Sequence, residues 1–197
     1  MATQLETLLQ ILQAVHDSDG DPQVVYPLLE AHLDDLDENF AQVLRNWAIA
    51  TLPKLDPIQA QGTAAAVFSF SDLILQYPYG EQAIHQEVAI AGYEAVTIVA
   101  TKEAFPQEWA TTQVSLGNAY ADRIYGDQAD NLETAIRCYC GALEIYTCEA
   151  NPEQWGIIQE NLGNVYSDLI QGDRSKNLET AIEYYIAALG VFTRETF

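Results

Sequence analysis

The sequence predicts an all-α protein, an α-solenoid of helix-turn-helix repeats behind a leading helical cap, and three observations predict it. Residues 106–151 and 152–197 agree at 22 of 46 positions without a gap. Apolar residues within each copy recur at helical spacing. Proline and glycine punctuate both copies at matching places. A fixed period of this size marks stacked repeats, each too small to bury its apolar face alone.

The elements follow in chain order. Residues 1–59 read as a capping module. Residues 3–16 form an amphipathic run, Gly20-Asp21-Pro22 opens a second helix, and Leu33, Leu36, Phe40, Val43, Leu44 and Trp47 form a third stripe ending near Pro53. Such a cap covers the stacking face of the first repeat. The 46-residue offset, run backwards, meets Gly80, Glu87, Ala89-Ile90, Tyr93, Thr101 and Glu103, so an eroded copy occupies 60–105.

In the copy at 106–151, Pro106 suits a first helical turn, where its missing N–H is no loss. Trp109, Leu116, Ala119, Tyr120 and Ile124 continue that helix to a stop at Gly126-Asp127. Asn131 then reads as an N-cap with Glu133 behind it. Leu132, Ala135, Ile136, Tyr139, Ala142, Leu143 and Tyr146 make one apolar stripe. The copy at 152–197 repeats these devices with Pro152, Trp155, Leu162, Tyr166, Gly172-Asp173 and Asn177, then Leu178, Ala181, Ile182, Tyr185, Ala188, Leu189 and Phe192. At about 18 to 20 residues, each helix would be roughly 27 to 30 Å long. Gly117, Gly163, Ala135 and Ala181 leave room for close helix approach, with Tyr120, Tyr139, Tyr166 and Tyr185 filling the space beside them.

Leu116-Gly117-Asn118-Ala119-Tyr120 with Ala135-Ile136, Tyr139 and Ala142-Leu143 resembles the tetratricopeptide repeat signature. Leu162-Gly163-Asn164-Val165-Tyr166 with Ala181-Ile182, Tyr185 and Ala188-Leu189 resembles it again. The family period is about 34 residues, and the extra length here falls at both ends of the hairpin. This long form is similar to the repeat arrays of cyanobacterial proteins that carry a caspase-like CHAT peptidase domain, and His32–Trp47 resembles their N-terminal module. The resemblance implies a right-handed solenoid whose first helices line a concave groove. It carries no protease activity over, because no peptidase domain is present.

The same resemblance implies that Asn118 and Asn164 hydrogen-bond the backbone of an extended peptide. Asp122 and Asp168 stand one turn later on the same face. The eroded copy carries Asp72 and Gln76 at the equivalent places. Lysine and arginine, with which some relatives clamp a C-terminal carboxylate, are missing from the groove positions, which include Glu160; a cationic ligand segment is expected instead. On this reading Asn118→Ala with Asn164→Ala weakens binding and leaves the melting temperature nearly unchanged.

A formal charge of −21 opposes nucleic acid and anionic membrane surfaces, both of which require basic residues. It favours a neutral to basic protein partner. No apolar run reaches the roughly 20 residues of a membrane-spanning helix, and no secretory signal is read in Met1–His16. Three cysteines, an odd number, suggest no disulfide framework, and a cytoplasmic location is expected.

Enzymatic chemistry finds no purchase. Cys138 and Cys140, two apart on a helix, diverge by about 200° and cannot close on one metal, which leaves Cys140 as packing. Asp17-Ser18-Asp19-Gly20-Asp21 lacks the glycine and glutamate of a calcium loop and reads as a polar turn. His16, His32 and His85 stand alone, outside any catalytic motif. The expected function is therefore non-enzymatic protein binding without a cofactor, as the sensing or scaffolding part of a larger assembly. The rivals are a self-associating module, joined through the uncovered last helix and the Phe197 end, and a regulatory subunit of a caspase-like peptidase.

Overall fold

Aspartates start four of the nine helices among the described residues, 3–193 of a computed structural model. Each of Asp21, Asp56, Asp127 and Asp173 holds an extended backbone and accepts hydrogen bonds from amides two or three residues ahead. This satisfies donors that the first helical turn leaves unpaired. No strand occurs among the described residues, so the protein is all-α there. None of the described helices is long and apolar enough to cross a membrane. The chain divides into two compact units, residues 1–105 and 106–197.

In the first unit, α1 (Gln4–Ser18) opens on a capping box. Thr3 Oγ1 accepts from Glu6 N–H while Glu6 Oε2 accepts from Thr3 N–H. Leu8, Ile11, Leu12 and Val15 form its buried stripe, and Asp19 ends it in the left-handed conformation at φ 54°. The Asp-rich segment thus stops one helix and, through Asp21, starts α2 (Pro22–Ala31). The third stripe is not one helix. Leu33–Asp35 form a short 3-10 turn, and α3 begins only at Phe40 and runs to Thr51. Side chains of α1 explain the break: Thr7 Oγ1 donates to Asp35 Oδ2 at 2.7 Å, and Gln4 Nε2 donates to Asp35 O and Asp37 Oδ1. Against the expectation of an isolated residue, His32 Nδ1 joins this cluster 3.2 Å from Asp35 Oδ2. Then α4 (Pro57–Gln76) pairs with α5 (Gln82–Val96), and α3 packs on α5 with Arg45 Nε 2.8 Å from Glu94 Oε2.

The second unit is two hairpins, α6 (Pro106–Ala121) with α7 (Gln128–Ala142), and α8 (Pro152–Asp168) with α9 (Arg174–Phe192). Their lengths of 16, 15, 17 and 19 residues fall short of the expected range in all but the last. The first helix stops at Ala121, leaving Ile124 exposed in the loop. After Ala142, Glu144 and Ile145 donate to carbonyls three residues back, which tightens the chain out of the α-helix.

The expected caps Asn131 and Asn177 are also displaced. Asp127 and Asp173 lie closer to the free amides and take the cap, so the asparagines fall within the first turn. There Asn131 Nδ2 donates to Tyr125 O at 2.8 Å, and Asn177 Nδ2 donates to Leu169 O and Gln171 O. Each asparagine fastens the interhelical loop instead.

The second unit's core joins its hairpins, with Leu132, Ala135 and Tyr139 of α7 in one cluster with Ile158, Leu162 and Val165 of α8. Each large apolar side chain so buried contributes about 1.5 to 3 kcal/mol. Accordingly α7 packs against both α6 and α8, whereas α9 packs on α8.

Candidate binding strip on the repeat hairpins

Removing a side chain from α6 creates the contact that positions the site. A Cβ on Gly117 would lie 2.5 Å from Tyr139 Cε1, and one on Gly163 would lie 2.6 Å from Tyr185 Cε1. Each tyrosine ring therefore crosses the opposing helix at its glycine and delivers its hydroxyl to the next residue. Tyr139 Oη donates to Asn118 Oδ1 at 2.7 Å, and Tyr185 Oη donates to Asn164 Oδ1 at 2.8 Å. Burial first, and the nearby Asp122 carboxylate second, push the Tyr139 phenol above its ordinary range, so it remains a donor.

The eroded copy keeps this lock with altered parts. Tyr93 Oη donates to Asp72 Oδ1 at 2.5 Å, again across 21 positions. Ser71 stands where the other copies have glycine, and the room is moved to Gly92 on the opposing helix, where any Cβ would strike Ser71 Oγ. Burial holds the Asp72 carboxyl above the ordinary carboxylate range, although the bond from Tyr93 pulls it down.

Asn118, Asp122, Glu160, Asn164 and Asp168 are all exposed. On α8, Glu160, Asn164 and Asp168 follow at intervals of four and share one face. Asn118 stands on α6, with Asp122 following that helix directly. The two first helices are bridged by Asn161 Nδ2, which donates to Asn118 Oδ1 at 3.0 Å. Asn118 thus accepts two bonds through one oxygen, one within its hairpin and one from the next. The amide nitrogens of Asn118 and Asn164 have no protein partner among the described residues.

These bonds change one expectation. Truncating Asn118 or Asn164 removes the acceptor of a tyrosine hydroxyl, so it costs stability as well as any ligand contact. Asn161 was not visible in the repeat comparison because the preceding copy has Ser115 at that place. The tyrosines were read as packing, and their hydroxyls carry the extra role.

The cysteines also exchange roles. Cys138 is buried because it shares a helical face with Ala135 and Ala142, whereas Cys140 and Cys148 are exposed. Among the described residues, no three His, Cys, Asp or Glu side chains are grouped to hold a metal. His85 is buried in the first unit, which pushes its imidazole below the usual range and keeps it neutral. A cleft of about 600 Å³ in that unit, lined by Leu9, His16, Trp47, Leu55 and Ile58, was not anticipated from the sequence. Arg194 and Phe197 lie outside the described residues.

Comparison of the chain with protein-family models, curated proteins and solved structures finds no significant match.

Proposed function

We propose that the chain is a non-enzymatic protein-binding module, a tetratricopeptide-like α-solenoid whose second unit holds an extended cationic segment along α6 and α8. The observation that carries the reading is the exposed strip of Asn118, Asp122, Glu160, Asn164 and Asp168, bridged by the half-buried Asn161, which combines amides with carboxylates and contains no lysine or arginine. Amide groups match the donors and acceptors of a peptide backbone, each bond contributing about 0.5 to 1.5 kcal/mol net. The carboxylates supply charge selectivity and speed encounter with basic segments. Supporting the family resemblance are the three tyrosine locks at one spacing and the glycine contacts beneath two of them. A cytoplasmic setting fits Cys138, Cys140 and Cys148, which form no disulfide.

The test uses Asp122→Asn, Glu160→Gln and Asp168→Asn together, since these keep shape and leave the tyrosine locks alone. An array of immobilised twelve-residue peptides, probed with the parent chain, should retain it on Lys/Arg-rich members, weakening as salt rises. The triple variant should lose that retention while melting as the parent does. No basic preference, or a preference unchanged in the variant, defeats the reading.

A further inference from the structure

We infer that the first unit binds an uncharged small molecule with a flat ring, in the cleft of about 600 Å³ between α1 and α4. Into this space α1 presents Leu9, Gln13 and His16, and α4 presents Ile58, Gly62 and Ala66, each set spaced by three or four residues and so on one face of its helix. Helices that meet along such rows ordinarily fill the space between them. Here Gly62 keeps it open. Glycine inside a helix is destabilising relative to alanine, and nothing local requires it at this position: the Gly62 backbone is not left-handed, and a Cβ there would meet nothing within 4 Å. Gly117 and Gly163 make room for a tyrosine ring, whereas Gly62 makes room for no part of the protein.

Size and charge select the occupant. Eleven residues line the cleft, short of the roughly 20 to 30 a side of a standard protein interface, while its volume lies within the range of small-ligand pockets. In a chain of −21, no lining residue is Asp, Glu, Lys or Arg. An ion entering would give up its water without gaining a charged partner, so the ligand is neutral. Half-buried Trp47 supplies an aromatic surface that favours a planar ring. Gln59 and Thr63 add donors and acceptors for one or two polar groups on it. At the mouth, Ile58 is 84% and Leu9 44% exposed, apolar surface that such a ligand covers. The site lies wholly in the first unit and is independent of the strip on α6 and α8.

Nile red, an uncharged planar dye that brightens in apolar surroundings, tests this by titration against the full chain at about pH 8, above the ordinary histidine range. Its emission should saturate near one dye per chain, with half-saturation in the micromolar range. Gly62→Leu sends a side chain into the open space and should weaken the dye about tenfold or more. The variant should melt no lower than the parent, leucine being the better helix former. Ile58→Asp sets a charge at the mouth, on an exposed residue in the first turn of α4 where a carboxylate suits the helix. It should weaken the dye as well, and it decides the matter if Gly62→Leu folds poorly. Ile182→Glu, on the exposed side of α9 in the second unit, should leave the dye bound as in the parent. Emission that never saturates, which would leave the cleft to a protein segment, overturns the inference. So does emission indifferent to both first-unit variants or lost with Ile182→Glu.

Discussion

The α6–α7 and α8–α9 hairpins are near-duplicates with different neighbours. Both second helices carry Leu-Glu-Thr-Ala-Ile followed by Tyr, Ala and Leu at the same intervals. In α7 Leu132 and Tyr139 are buried in the core shared with α8, whereas in α9 Leu178, Ile182 and Leu189 face outward. Repeated residues thus fix each hairpin's internal geometry, and the next hairpin decides how much each residue contributes to stability.

The widest difference should appear on truncating the matched leucines. Leu132→Ala should cost about 3 kcal/mol, within the usual range for a buried leucine, and Leu178→Ala under about 1 kcal/mol. Urea unfolding in dilute solution measures both, and equal losses would mean that the two faces are covered alike. Next come the glycines. Gly117→Ala should cost about 2 to 3 kcal/mol, because the ring it strikes is fully buried. Gly163→Ala should cost less, since the half-exposed Tyr185 ring can swing aside. Thermal melts of the pair will rank them, and a reversed order would refute this account of ring mobility.

Removing the hydroxyls gives a smaller contrast. Tyr139→Phe should lose about 1 kcal/mol and Tyr185→Phe about 0.5 kcal/mol, the outer bond competing with water. The smallest effect belongs to the first unit and has the opposite sign. Folding raises the Asp72 pKa, so its contribution is most favourable below the ordinary carboxylate range and is lost as pH rises through the folded value. Asp72→Asn, which restores the amide of the other two locks, should therefore raise the melting temperature at pH 7. Below the ordinary carboxylate range that gain should vanish; a gain independent of pH would show that ionisation is not its source.

Much of this architecture was legible because helices announce themselves by period and punctuation. The paired helices of 106–197 and the proline starts at Pro106 and Pro152 could be read directly. Cap identity could not, since Asp127 and Asn131 both suit the role and only the backbone path decides which side chain reaches the free amides. Nor could the break before Phe40, which depends on Gln4 and Thr7 reaching across more than 25 positions. Within the strip, Asn118 and Asn164 stood out because they repeat. Asn161 did not, and neither did the second role of the tyrosines, since a repeated aromatic looks the same whether or not its hydroxyl is used.

The tyrosine bond has a consequence for how such a chain can lengthen. Hydroxyl and acceptor always belong to one hairpin, 21 positions apart. Gene duplication or deletion of a whole block of 46 residues therefore severs none of these bonds. Between the paired blocks, Asn161 to Asn118 is a side-chain hydrogen bond that would have to find a new mate. A lineage carrying this design can change its number of modules while each survivor keeps its own alignment.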